Sequence, residues 1–274
     1  MDLACDSTIR LNDGAAMPRL GLGVYQIGSG SCRRAVEHAL KIGYRHIDTA
    51  SFYGNEAEVG RAVRESALPR EQVFVTTKLW NSDQGHASAI KAGEKSLKLL
   101  GLDRIDLYLI HWPEPGKRHD SWRALIDLRK RGLVRSIGVS NYTVEHLREL
   151  MATSDVVPAV NQVEFNPFLY QRALLDFCTA NGIALVAYCP LARAQRLGDP
   201  RLKQIATRHG KTAAQVMIRW ALQHGLGAIP KSSRSQRIEE NAAVFDFALD
   251  DDDMARLDAL DEGYRTCWDP SGVR

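Results

Sequence analysis

Gly21-Leu22-Gly23-Val24-Tyr25-Gln26 decides between two folds. A doubly wound α/β sheet opens with G-x-G-x-x-G after its first strand, the last glycine allowing close helix–strand packing. Here Gln26 stands at that last position, and Gly28-Ser29-Gly30 is not followed by a third glycine either. No P-loop, linker or second composition regime occurs elsewhere. The segment 20–23 is instead the first of eight short apolar runs, the others being 45–48, 73–78, 105–110, 136–140, 159–165, 184–188 and 228–230.

Helical patterns fill the gaps between these runs. Ala35, Val36, Ala39 and Leu40 form one apolar stripe, and Trp122, Leu125, Ile126 and Leu128 form another that stops at Gly132. A seventh helix holds Val216, Ile218 and Trp220 and stops at Gly225. Asn55, Ser121 and Thr143 mark helix starts by their capping side chains. Ahead of the first run, Asn12-Asp13-Gly14 sits between two short arms and predicts a β-hairpin. Eight strands alternating with helices predict a closed (β/α)8 TIM barrel, preceded by the hairpin and followed by a short C-terminal helix and tail. One domain covers residues 1–274.

Composition excludes several function classes. The chain is 45% apolar and 25% charged with a formal charge of +3, too small and too evenly spread for a nucleic-acid or membrane surface. Five cysteines, an odd set without a CxxC pair, indicate neither a disulfide framework nor a zinc ribbon. The eight histidines lack HxH or HExxH spacing, so no metal site is expected. The opening Met1-Asp2-Leu3-Ala4-Cys5-Asp6 is acidic and short of apolar residues, so no secretory signal is expected. The most apolar segment, 183–191, falls far short of the ~20 residues that span a bilayer. A reducing cytoplasm fits these features.

Asp48, Lys78 and His111 stand at the ends of three consecutive strand-like runs. Barrel sites are built at the C-terminal ends of strands, so the three converge although they are distant in sequence. Tyr53 lies in the loop leaving the second run and overhangs the same mouth. A carboxylate, an ammonium and an imidazole at adjacent strand ends need one another or a ligand. Together they suit a proton donor. A phenol, with an ordinary pKa of about 10, keeps its proton at neutral pH. A nearby ammonium makes it more acidic, and Asp48 keeps Lys78 charged. His111 hydrogen-bonds the oxygen that Tyr53 protonates.

The same residues carry a family resemblance. Gly43-Tyr44-Arg45-His46-Ile47-Asp48-Thr49-Ala50 followed by Tyr53-Gly54-Asn55-Glu56 resembles the signature of the aldo-keto reductases. Thr76-Thr77-Lys78-Leu79-Trp80, the segments 106–113 and 137–142, Val160-Asn161-Gln162-Val163-Glu164 and Ile229-Pro230-Lys231-Ser232 are similar in the same order. Within the family the pattern is most similar to the bacterial 2,5-diketo-D-gluconate reductases. The resemblance implies a catalytic tetrad of Asp48, Tyr53, Lys78 and His111, with Tyr53 as general acid. It also implies nicotinamide contacts from Ser140, Asn141, Gln162 and the stacking Tyr188, and adenine contacts from Glu240 and Asn241. The implied partners are a small carbonyl substrate and a dinucleotide, acting on a monomer.

After the eighth run, Lys231, Ser232, Arg234 and Arg237 surround a helix start, where backbone N–H groups and cations favour phosphate. That favours NADPH over NADH. Tyr25, Phe52, Trp80 and Trp112 follow strand ends and are expected to wall an aromatic substrate pocket. Lys117, Arg118 and His119 are read as a solvated loop. Tyr25 stands where many relatives have tryptophan, and Cys189 where serine or glycine is frequent. An aldolase-type barrel with Lys78 as Schiff base requires a neutral lysine away from carboxylates, which Asp48 opposes. A structural, non-enzymatic barrel is free to lose the tetrad, which is intact here.

Overall fold

The computed structural model describes residues 3–273; Met1 and Asp2 of the acidic start, and Arg274, lie outside them. Eight strands form one parallel sheet in chain order: β3 (Leu22–Gly23), β4 (His46–Asp48), β5 (Phe74–Leu79), β6 (Ile105–Ile110), β7 (Val134–Ser140), β8 (Val160–Glu164), β9 (Ala184–Tyr188) and β10 (Gly227–Ala228). The two edges meet. Leu20 bridges Ala228 and Gly23 bridges Lys231, both in parallel. Gly21 N–H donates to the Ala228 carbonyl at 2.9 Å and Gly23 N–H to that of Pro230 at 3.2 Å. The sheet is thereby closed into a barrel.

That seam explains Gly21-x-Gly23. A Cβ on Gly23 would sit 2.9 Å from the Ile229 carbonyl oxygen, and one on Gly21 would sit 2.8 Å from the His46 ring. The glycines let the first strand reach the eighth; they hold no phosphate turn.

Helices α1 (Ser29–Lys41), α2 (Glu56–Arg64), α3 (His86–Leu100), α4 (Arg118–Lys130), α5 (Val144–Ala152) and α6 (Arg172–Ala180) follow the first six barrel strands in turn. After β9 there are two, α7 (Pro200–Arg208) and α8 (Ala213–Gln223), so the predicted seventh helix has a partner that precedes it. Asp199 and Pro200 cap the extra one. Helices α9 (Ser235–Ala242) and α10 (Asp251–Asp258) complete the chain before the tail.

The hairpin is β1 (Thr8–Arg10) against β2 (Ala16–Pro18), with Gly14 at φ +87° in the turn. Leu11, Ala15 and Met17 pack with Phe74, Leu107 and Ala159, residues of the N-terminal half of the barrel interior. That end is plugged by apolar side chains, which leaves the C-terminal mouth for chemistry. The larger core lies between strands and helices, with Val36, Leu125, Leu147 and Trp220 fully buried. No helix among the described residues is long and apolar enough to cross a membrane.

Several predicted details are corrected. Helix α4 starts at Arg118, not Ser121, whose hydroxyl instead donates to the Lys117 carbonyl at 2.8 Å and accepts from Gly85 N–H at 2.9 Å. Asn55 precedes α2 as expected but caps nothing with its side chain, which donates to the Val24 carbonyl at 3.0 Å. It ties the second loop to the first. Thr143 does cap α5, in a capping box with His146. Arg118 is buried at the start of α4 and paired with Glu149, which also takes His119, so this is no solvated loop.

One stability prediction follows from the packing of α2 on α3. A Cβ on Gly60 would overlap the carbonyl of Leu100, backbone that cannot rotate aside. Gly60→Ala is expected to cost about 2–3 kcal/mol from overpacking, outweighing the ~1 kcal/mol gained in helix propensity. A melting temperature lowered by roughly 2–6 °C is the expected reading; an unchanged or raised one refutes the close approach.

Candidate active site

Each β/α unit ends its strand at the same mouth, and the polar residues stand there in order. Asp48 closes β4, Lys78 is next to last in β5, His111 follows β6, and Ser140, Gln162 and Tyr188 lie at or near the ends of β7, β8 and β9. Tyr53 comes from a single 3-10 turn, Ser51–Tyr53, held by Gly54 in the left-handed region at φ +67°. Ser51 Oγ donates to the Lys78 carbonyl at 2.9 Å, which pins this turn over β5.

Lys78 is fully buried. Its Nζ donates to Asp48 Oδ1 at 2.5 Å, to the Thr49 carbonyl at 2.9 Å and to the Tyr53 hydroxyl at 3.4 Å. Three acceptors use the three N–H bonds of an ammonium, so the nitrogen has no free lone pair for a Schiff base. The other Asp48 oxygen accepts from Gln162 Nε2 at 2.7 Å. His111 faces the Tyr53 ring edge-on at 5.8 Å between centroids, and its Nδ1 is buried without a hydrogen-bond partner among the described residues.

Burial governs the protonation states. It pushes the Tyr53 phenol well above its usual value, with the Asp48 carboxylate adding to the effect. The ammonium alone predicts a more acidic phenol; here desolvation outweighs it. The same burial holds His111 far below the usual imidazole range, helped by the charge of Lys78. It lowers Lys78 too, against the pull of Asp48. At neutral pH the mouth therefore presents a protonated phenol and a neutral imidazole.

Ser140, Asn141 and Tyr188 are linked to one another and to this group. Tyr188 hydroxyl donates to Asn141 Oδ1 at 2.6 Å, Asn141 Nδ2 donates to the His111 carbonyl at 3.0 Å, and Ser140 Oγ to the Gln162 carbonyl at 2.8 Å. Asn141 adopts φ +64°, a conformation asparagine tolerates better than most residues. Tyr188 is half-buried beside the cleft that it lines.

One cleft of about 910 Å³ joins these residues to the far side of the mouth. Tyr25, Phe52, Trp80 and Trp112 line one wall of it, with Phe52 stacked on Trp80 at 3.8 Å. Lys231, Ser232, Arg237, Glu240 and Asn241 line its other end, beside the first turns of α9. Arg234 does not: it precedes α9 as its exposed N-cap, its N–H donating to Ser232 Oγ at 3.1 Å.

Two features escaped the reading of the sequence. The tail folds back over the mouth, and Trp268 stands 5.5 Å from Trp112 and 6.5 Å from Trp80 between ring centroids. Buried Glu164, at the end of β8, holds that tail: its Oε1 accepts from Thr266 N–H at 2.8 Å and its Oε2 from Cys267 N–H at 3.1 Å. A carboxylate ending a barrel strand was signal enough to single out Glu164, as it was for Asp48. An isolated tryptophan in a polar tail had no such context.

The sequence matches the model of the Aldo/keto reductase family over residues 19–262. It is 48% identical to a glyoxal reductase of Bacillus subtilis over 98% of both chains. Its fold superposes on an aldo-keto reductase from a Medee basin deep-sea metagenome library with a TM-score of 0.95 at 44% identity, covering 97% of this chain and all of that one. A Bombyx mori aldo-keto reductase solved in complex with NADP superposes with a TM-score of 0.88 at 37% identity over 94% of each chain. Family-model coverage, high identity and a shared barrel agree, and the chain belongs to the aldo/keto reductase family.

Proposed function

We propose that this chain reduces small aldehydes and dicarbonyls to alcohols with NADPH, with Tyr53 delivering the proton. The observation that carries the proposal is the Tyr53 hydroxyl 3.4 Å from the Lys78 amine, at the base of an aromatic-walled cleft. The similarity to a glyoxal reductase supports a short dicarbonyl rather than a bulky ketone. Keto-sugar acids remain within the same chemistry. A complete tetrad within one chain makes the monomer a sufficient working unit, and five free cysteines suit a reducing cytoplasm.

Ser140, Asn141, Gln162 and Tyr188 would hold the nicotinamide end, with Tyr188 offering its ring face. Lys231, Ser232 and Arg237 would take the 2′-phosphate, and Glu240 and Asn241 the adenine. The residues fit the group: an aromatic ring, amides and cations occur in that order along one continuous cleft. Bound NADPH supplies hydride to the carbonyl carbon. His111, neutral, donates a hydrogen bond to the carbonyl oxygen and sets its position. Tyr53 gives its proton to that oxygen as negative charge develops, and Lys78 stabilises the phenolate left behind. Asp48 and Gln162 keep Lys78 charged and fixed. Aromatic walls exclude water, which strengthens each of these interactions.

Purified protein mixed with NADPH and methylglyoxal is expected to consume NADPH absorbance in proportion to alcohol formed; no consumption across a panel of small carbonyls overturns the proposal. Arg237→Ala is expected to weaken NADPH by roughly 10–100-fold, the loss of a charge-assisted phosphate contact, and NADH by little. Equal losses for both cofactors would remove Arg237 from the 2′-phosphate.

A further inference from the structure

Cys189 directly follows Tyr188 at the end of β9, and Cys267 lies in the tail that folds back over the mouth. Their sulfur atoms are 3.7 Å apart, and both residues line the cleft. They are separated by 78 positions in sequence, so only the fold brings them together. Each is held by its own backbone contacts. Glu164 fixes Cys267 from β8, while the Cys189 carbonyl accepts from Ala192 N–H at 2.9 Å in a turn where Cys189 itself has φ +44°. We propose that Cys189 and Cys267 are a redox-active pair whose reversible oxidation to a disulfide staples the tail across the mouth and slows turnover.

Disulfide sulfurs lie about 2.0 Å apart, so closure asks the two atoms to approach by roughly 1.7 Å. A side-chain rotation and a small shift of the tail supply that movement. The two groups are unequal partners. Either thiol can donate to the other; with Cys189 donating, Cys267 is the more acidic of the two and attacks first. Cys32 and Cys178 are buried, with thiols pushed up to about 12, and are poorly placed to compete.

The oxidant is a hydroperoxide. The Cys267 thiolate attacks its terminal oxygen, breaking the O–O bond and leaving a sulfenic acid and, with hydrogen peroxide, one water after protonation. Cys189 sulfur then attacks the sulfenic sulfur; the S–S bond forms, the S–O bond breaks, and a second water leaves. Two thiols and one peroxide give one disulfide and two waters, with two electrons passing from sulfur to oxygen. A dithiol reverses the link by exchange. The tail thus tied carries Thr266 and Trp268, which face the cleft, and can no longer swing away when ligands exchange.

Reduced protein treated with a small excess of hydrogen peroxide, then quenched and digested without reductant, tests the pair. The expected peptide map contains a Cys189–Cys267 link and an intact mass lower by two hydrogens. Wild-type turnover of methylglyoxal is expected to fall by roughly fivefold or more, because tail opening becomes limiting, and to return with dithiothreitol. Cys189→Ser and Cys267→Ser, each compared with its own untreated rate, are expected to lose this reversible response. Absence of the link, or a link that leaves the rate unchanged, overturns the proposal. The activity arm rests on the reductase reading. The peptide map does not, so a chain without carbonyl reduction fails one proposal while the thiols still decide the other.

Discussion

Tyr53→Phe is expected to lower turnover by roughly 10²–10⁴-fold, the usual worth of a positioned general acid, while NADPH still binds with nearly its normal affinity. The substitution removes one oxygen from a ring packed 4.9 Å from Tyr25 and 5.8 Å from His111, and leaves both ring contacts in place. The residues proposed to hold the cofactor sit on other strands, so binding and catalysis are expected to separate. Stopped-flow or steady-state absorbance gives the turnover, and quenching of protein fluorescence gives the affinity. Retained turnover would remove Tyr53 as the acid. The pH profile offers a second check. The Tyr53 phenol is raised, so it loses its proton only above the ordinary value of about 10; His111 is lowered, so it gains one only below about 6.5. Wild-type turnover in the reductive direction is therefore expected to stay flat from about pH 7 to 9, with neither group titrating. A break in that window would show that another group carries the proton.

Asp48→Ala is expected to be the most damaging single change to stability. Lys78 is fully buried, and Asp48 Oδ1 is its nearest acceptor at 2.5 Å. Removing the carboxylate leaves an uncompensated buried charge, a loss of about 3–5 kcal/mol, or forces the amine to give up its proton. Gln162 Nε2 loses its acceptor at the same time. Urea denaturation measures the loss, and turnover should vanish with it. The double variant Asp48→Ala/Lys78→Met separates the two effects. It removes both charges, so stability is expected to recover substantially while turnover does not. If the double variant stays as unstable as the single one, the ion pair is not the source of the loss.

The barrel was legible because its signals are local and repeated. Eight apolar runs with helices between them survive errors of one or two residues at each end; the eighth strand, Gly227–Ala228, overlaps its predicted run at a single residue. The polar cluster at the mouth was legible for a related reason. A strand that enters a barrel mouth must end there, so a charged residue at its C-terminal end is already placed in three dimensions. Asp48, Lys78 and His111 needed no long-range information beyond the fold class.

Misread details came from competition among neighbours. Ser121 and Asn55 have the side chains of helix caps, but each found a better partner across the fold, Gly85 N–H for one and the Val24 carbonyl for the other. Arg234 has the charge of a phosphate ligand and lies outside the cleft lining. Its neighbour Arg237 lines it, a difference set by where α9 begins. Capping and charge are properties of a residue; which atom answers them depends on distance in the folded chain.

By itself the sequence determined the fold class, the family resemblance and which polar residues gather at the barrel mouth. These depend on period, spacing and residue type along a single chain. Tertiary structure alone decided how Gly21 and Gly23 are used, which way the Tyr53 phenol shifts, and what closes the mouth. The glycines serve the seam because the first and last strands meet there, and the phenol rises because burial exceeds the pull of one ammonium. The tail reaches the site because Glu164, about a hundred residues earlier, presents two oxygens to its backbone. Such contacts join segments with no shared pattern, and only the closed barrel brings them within hydrogen-bonding distance.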